Sequence, residues 1–129
     1  MVVLNMEQDM EVLSKLTEDQ KVAFMKAFSR LAGADGHLDE DELAFIRSMA
    51  RIYGISDKRV DEILKIDSDE EVVNAVKVID NRRAALELIK EMCVLAHADD
   101  ELSDQETLLI GRVGQAVSYT HLRAHETVL

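Results

Sequence analysis

The sequence predicts an all-α fold, a compact bundle of six or seven short helices with an internal two-fold repeat. Two observations on composition favour helices: the 129 residues include no proline and only five glycines, and 47% of them are hydrophobic. This composition is typical of helices joined by short turns, and not of β-sandwiches or barrels. The third observation is that apolar residues recur every three or four positions, as on one face of a helix. A chain of this length is expected to form one domain.

Three helices are predicted in the first part of the chain. Thr17 and Gln20 form a capping-box pair, in which each side chain bonds the backbone of the other, so a helix is expected to begin there. A second helix is predicted to start near Asp39 and to end at Gly54, because glycine suits the left-handed position that follows a helix. A short helix over residues 6–16 is predicted to precede both.

Four more helices are predicted after Gly54. Ser56, Ser68 and Ser103 each precede one of them, as serine does at helix N-caps. The remaining helix is longer and begins at Asn81. The four predicted helices cover residues 57–65, 69–79, 81–98 and 104–116.

Two stretches of the chain repeat each other at an offset of 64 residues. Residues 31–46 align with residues 95–110, and Glu42 pairs with Glu106. Each copy is predicted to form a helix, an acidic turn and a second helix, and five of the eight residues in each turn are acidic. A bundle with this repeat could bring the two turns close together. The predicted copies cover about residues 20–54 and 84–116.

The acidic turns have two interpretations. Asp39 with Glu42, and Ser103 with Glu106, each match a capping box, which explains those residues without any ligand. A cap contributes about 1 kcal/mol and a contact with the helix dipole about 0.3–1 kcal/mol, and neither requires so many carboxylates. Like charges about 4 Å apart repel by roughly 1 kcal/mol in water, so two such turns side by side favour a bound cation.

Oxygen ligands favour Ca²⁺ or Mg²⁺ over softer metals, so we predict one of these two ions as the cofactor. The turns are not EF-hand loops, because aligning Gly36 with the invariant loop glycine puts Leu31 and Gly33 where carboxylates are required. Ligands from both turns would therefore have to combine. The predicted metal ligands are Asp35, Asp39, Glu42, Asp99 and Glu106.

The two turn sequences, ADGHLDEDE and ADDELSDQE, resemble the TerB-like tellurite-resistance family. The resemblance covers about residues 20–116. It implies a small, all-α, cytoplasmic bacterial domain with an acidic surface that binds divalent cations. It also implies a role in tellurite resistance and stress responses, together with membrane-associated protein partners. The second copy departs from the family motif, because Asp100 stands where the first copy has Gly36.

The family's motif acids fall on four residues of this chain. They are Asp35 and Glu42 in the first copy, and Asp99 and Glu106 in the second. Two histidines, His37 and His97, adjoin these turns, and each is expected either to bond a carboxylate or to bind a transition metal.

Charge excludes several other functions. The net charge of −11 and the pI near 4.7 disfavour binding to nucleic acid or to an anionic membrane. No apolar run is long enough to span a bilayer, and the lone Cys93 suits a reducing compartment.

We find no nucleophile–base pair, HExxH motif, phosphate-binding loop or CxxC motif, so we predict that the protein is not an enzyme. The alternative function is a non-catalytic interaction module whose acidic face docks a basic partner without metal.

The last residues fit neither the composition nor the repeat. The segment 117–129, VSYTHLRAHETVL, resembles the translation of a transposon-end sequencing adapter. We therefore predict a native domain over residues 1–116 and a non-native tail, and exclude Tyr119, His121 and His125 from any site.

Overall fold

The computed structural model describes residues 14–33, 39–66, 68–97 and 103–126. Over these ranges the chain forms six α-helices and one short 3₁₀ helix, and none of the described residues lies in a strand. The predicted all-α bundle is therefore confirmed. The helix predicted over residues 6–16 lies almost wholly outside the described ranges. The helices are α1 Glu18–Ala32, α2 Glu40–Tyr53, α3 Asp57–Leu64, α4 Asp69–Ala75, the 3₁₀ helix Val76–Val78, α5 Arg82–His97 and α6 Asp104–Glu126.

Local capping signals set the ends of α1 and α2. The Thr17 backbone N–H donates to Gln20 Oε1 at 3.0 Å, and the Gln20 N–H donates to Thr17 Oγ1 at 3.2 Å, which confirms the predicted capping box. Gly54 follows α2 with φ 74° and donates its N–H to the carbonyls of Ala50 and Arg51. This is the left-handed conformation that glycine adopts without a steric penalty, so the predicted end of α2 is also confirmed.

Three details differ from the prediction. Ser56 is the N-cap residue of α3, as predicted, but its side chain makes no capping hydrogen bond. The helix predicted over 69–79 ends at Ala75 and tightens into the 3₁₀ helix. Asn81 is the cap of α5 and not its first residue, because its Oδ1 accepts from the Ala84 N–H at 2.8 Å.

Helix α1 forms the centre of the bundle and packs against every other described helix. Its buried side chains lie around most of its circumference, from Val22 to Leu31. Phe24 and Phe28 are fully buried and meet edge to face, with ring centroids 6.1 Å apart. Aromatic pairs in this geometry add stability beyond their buried area. The core is otherwise aliphatic, with Leu88 and Met92 of α5 among its fully buried residues.

The two predicted copies correspond to α1 with α2 and to α5 with α6, while α3 and α4 connect them. Helix α6 continues past the boundary predicted after Ala116, and Val117 is buried in the core. The limits of the native domain and the origin of the tail stay predictions. None of the helices in the described ranges has both the length and the apolar character needed to cross a membrane.

Candidate metal and partner site

A cavity of about 490 Å³ lies where the two acidic turns enter their second helices. Asp39 and Glu42, at the start of α2, line it from one side. Ser103, Gln105 and Glu106, at the start of α6, line it from the other. The described ends of the two turns therefore lie on one cavity, although they are 64 residues apart in the sequence.

The rest of the described cavity lining is apolar. Five hydrophobic residues contribute, from the ends of α1 and α5 and from α2. Of these, Phe28 and Leu31 are buried, whereas Phe45 is 44% exposed. The cavity thus combines an apolar floor with a carboxylate rim. The apolar lining residues are Phe28, Leu31, Ala32, Phe45 and Leu95.

The first turn forms a complete capping box at the cavity rim. The Glu42 backbone N–H donates to Asp39 Oδ1 at 2.8 Å. In return, the Asp39 N–H donates to Glu42 Oε1 at 3.1 Å. The reciprocal bonds satisfy two backbone donors that a helix start would otherwise leave without partners, so the capping interpretation is confirmed for this turn.

The second turn repeats this arrangement with serine in place of aspartate. The Glu106 N–H donates to Ser103 Oγ at 3.1 Å, and the Ser103 N–H donates to Glu106 Oε1 at 3.2 Å. Capping is confirmed here too. Because serine is neutral, the second cap carries one carboxylate where the first carries two.

A capping bond uses only part of the hydrogen-bonding capacity of a carboxylate, and Glu42 makes a further interaction besides its capping bonds. A carboxylate has two oxygens and about four lone-pair positions, and each capping bond occupies one of them. In both glutamates the bond uses Oε1, which fixes the carboxylate against the helix start. Glu42 and Glu106 are also half-buried, whereas Asp39 is exposed. The rim can therefore place hard oxygen ligands in defined positions while the helices stay capped.

The cavity also differs from the rest of the surface in its charge. Elsewhere, basic residues of α1 pair with acidic residues of α3 and α4: Lys26 Nζ lies 2.9 Å from Glu62, and Arg30 Nε lies 2.8 Å from Asp69. Among the described residues that line the cavity there is no lysine or arginine. The described lining therefore contains acidic, neutral polar and apolar side chains.

Three of the five predicted ligands, Asp39, Glu42 and Glu106, lie on this cavity. Asp35 and Asp99 fall outside the described residues, as does His37, so their positions relative to the cavity stay predictions. In the described ranges, no three His, Cys, Asp or Glu side chains come close enough together to form a metal-binding group. The described carboxylates thus form part of a candidate site and not a complete coordination sphere.

Sequence reasoning missed the apolar half of the site. Phe45 falls off the core-facing stripe of α2, and its exposure agrees with that position. Leu95 aligns with Leu31 in the repeat, and both line the cavity. The repeat could therefore have indicated two of the apolar lining residues as well as the paired glutamates.

These features define the described chain as an all-α domain in which two capped, acidic helix–turn–helix units meet at one cavity. The model of one protein family, described as tellurite resistance protein TerB, matches residues 5–65. This match confirms, over residues 5–65, the resemblance to the TerB-like tellurite-resistance family drawn from the turn sequences. The matched range includes the first acidic turn and ends before the second. Neither a curated protein nor a solved structure was found to match the chain.

Proposed function

We propose that this TerB-like chain is a tellurite-resistance or stress-response domain that binds a divalent cation, Ca²⁺ or Mg²⁺, through its two acidic turns. The observation that carries the proposal is that the capping carboxylates of both turns line one cavity. We further propose that the role is non-catalytic, that the protein acts in the cytoplasm, and that it works with a membrane-associated protein partner.

Electrostatics supports a cation at this position. Glu42 and Glu106 converge on one cavity and are held there by their capping bonds. Bringing like charges together costs free energy, and the cost rises where the surroundings are less polar than water. A bound divalent cation would relieve such repulsion. Asp35 and Asp99 are the further ligands that we propose.

The alternative function is a non-catalytic interaction module that docks a basic partner without metal. The specific observation in its favour is the set of apolar lining residues, including the partly exposed Phe45. Apolar side chains do not coordinate a metal ion, whereas they can contact a protein partner. Interaction sites combine apolar and polar side chains, and the described lining contains both.

Thermal unfolding with and without divalent cations tests the metal proposal. A ligand that binds only the folded state at ten times its Kd stabilises that state by about 1.4 kcal/mol. For a domain of this size that free energy raises the melting temperature by about 5 °C. We expect this rise with Ca²⁺ or Mg²⁺ relative to EDTA at matched ionic strength.

The double variant Glu42→Gln with Glu106→Gln is expected to lose this rise. Glutamine keeps a side-chain oxygen that can accept the capping bond, so the variant removes charge and retains the caps. Glu71→Gln is the matched control, because Glu71 occupies the same position after the Ser68 cap of α4, away from the cavity. An equal rise in the double variant, or no rise in the unmodified protein at millimolar cation, would refute the metal proposal.

A further inference from the structure

We infer that a second copy of this chain docks at the groove between α2 and α3, forming a two-fold dimer held by contacts between arginine and aspartate. The inference goes beyond the proposed function and does not depend on it, because the groove shares no lining residue with the cavity of the acidic turns. Helix α2 contributes Phe45 to the cavity, whereas it contributes Arg47 and Arg51 to the groove.

The groove has a volume of about 310 Å³ and separates two helices that both pack against α1. Arg47 and Arg51 are four residues apart on α2, so they project from the same side of that helix. Asp57 and Asp61 have the same spacing on α3. One wall of the groove is therefore basic and the other is acidic, over a floor of buried core residues. The floor residues are Ala50, Ile55 and Val60.

The four charged side chains of the groove are exposed and do not pair with one another. In the described part of the chain, no ion pair or side-chain hydrogen bond includes any of the four. A purely anionic partner would meet repulsion from the aspartates, and a purely cationic partner would meet repulsion from the arginines. A partner that presents both charges side by side is attracted by both walls.

A second copy of the chain is such a partner, because the groove is complementary to itself. In a two-fold contact the same surface patch is used by both copies, and each contact occurs twice. A two-fold axis along the groove would place the basic wall of each copy against the acidic wall of the other. Arginine suits this contact, since its guanidinium can donate two parallel hydrogen bonds to one carboxylate.

The net charge of the chain does not prevent this contact. Residues 43–65 carry five basic and three acidic side chains, which gives this part of the chain a net charge of +2, in contrast to −11 for the whole chain. Salt screens exposed charges that are more than about 8 Å apart at physiological ionic strength, so the charges beside the groove matter most. Complementary surface charges contribute more to specificity than to affinity, so we expect a weak dimer.

Sedimentation equilibrium of the full-length chain in EDTA tests the inference. Protein concentrations from about 10 μM to about 1 mM cover dissociation constants up to the millimolar range. We expect the average mass to rise towards that of a dimer. The variant Arg47→Glu with Arg51→Glu should dimerise at least about tenfold more weakly, because both walls are then acidic. The variant Asp57→Lys with Asp61→Lys should lose as much, because both walls are then basic.

An equimolar mixture of these two variants tests whether the walls face each other. The new glutamates of one variant would face the new lysines of the other, and the unchanged aspartates would face the unchanged arginines. We therefore expect the mixture to form a heterodimer about as stable as the unmodified dimer.

A control and a second variant guard against other causes. Arg82→Glu with Arg83→Glu makes the same charge change on exposed residues of α5 outside the groove, and should dimerise like the unmodified chain. Circular dichroism verifies that each variant is folded. If the lysine variant unfolds, Asp61→Lys alone replaces it in the mixture, because this change leaves Asp57 in the first turn of α3.

Three results would overturn the inference. A chain that stays monomeric up to about 1 mM would leave the groove to a partner of another kind. A dimer that both charge-reversed variants retain would have its contact elsewhere. Loss of the dimer in both variants without recovery in the mixture would show that the walls do not face each other. Because these measurements contain no divalent cation, their failure leaves the metal proposal intact, and a missing rise in melting temperature leaves the dimer intact.

Discussion

Replacing Gln20 with glutamate is expected to destabilise the domain strongly at neutral pH and less in acid. Gln20 is a polar residue that is only 8% exposed, and its side chain joins three parts of the fold. Its Oε1 accepts from the Thr17 backbone at 3.0 Å. Its Nε2 donates to the Val78 carbonyl at 3.1 Å and to Asp80 Oδ1 at 3.3 Å.

The magnitude follows from what glutamate keeps and loses. An ionised glutamate can still accept from Thr17, but it has no N–H for Val78 or Asp80. Two hydrogen bonds are lost, at about 1 kcal/mol each. A new carboxylate near that of Asp80 adds repulsion of about 1 kcal/mol or more. The free energy of unfolding should therefore fall by about 3 kcal/mol at neutral pH. In acid, a protonated glutamate regains one hydrogen-bond donor and loses its charge. The loss in free energy of unfolding relative to the unmodified protein should then be only about 1 kcal/mol.

Urea unfolding followed by circular dichroism at about pH 8 and at about pH 3.5, which lies below the ordinary glutamate pKa, measures both values. The matched control is Gln115→Glu, because Gln115 is an exposed glutamine on α6, where the same change should alter stability by less than about 0.5 kcal/mol. If Gln20→Glu were as stable as Gln115→Glu, or if its deficit were the same at both pH values, the bonds to Val78 and Asp80 would not contribute as the structure indicates.

Three other substitutions test separate features of the fold. A hydrogen bond from Lys26 is the main cause that lowers the pKa of Glu62, so Glu62→Gln should cost less than about 1 kcal/mol at neutral pH. That cost should disappear as the pH falls through the lowered pKa, which a pH series of urea unfolding measures. Gly54→Ala should cost about 1 kcal/mol in the same assay, because φ is 74° while the space around the glycine is open. Val117→Ala should lower the free energy of unfolding by about 2 kcal/mol, because Val117 is buried. The control Ser118→Ala should leave it almost unchanged, because Ser118 is exposed. Equal melting temperatures for the two variants would show that Val117 is not part of the core.

The capping signals could be predicted from the sequence because they are local. Thr17 with Gln20, and Ser103 with Glu106, lie three residues apart, and their reciprocal bonds need only a single helical turn. The turn after α2 is equally local, since it depends on the freedom of Gly54 to adopt a positive φ. These features fix where helices begin and end, so most of the helix bounds followed from short stretches of sequence.

The features that escaped prediction depend on residues far apart in the chain. The hydrogen bond from Gln20 Nε2 to the Val78 carbonyl is one example, since the two residues are 58 positions apart. The apolar floor is another. It forms only when the end of α1 meets α2 and α5, so no local pattern distinguishes Phe45 from an ordinary exposed side chain. The offset of the repeat paired the two turns and also Leu31 with Leu95, but it gave no indication of Phe45.

Capping and ligand binding are compatible explanations for the acidic turns, because the same glutamates that cap the helices also line the cavity. A flexible surface glutamate would have to lose conformational entropy when it bound a cation or an ammonium group. Glu42 and Glu106 have already been ordered by the capping bonds to Asp39 and Ser103. The same bonds that start α2 and α6 therefore prepare the rim of the cavity. Because Ser103 replaces the aspartate of the first turn, the two halves of the rim differ in charge, and an occupant of the cavity should contact the Asp39 side more strongly.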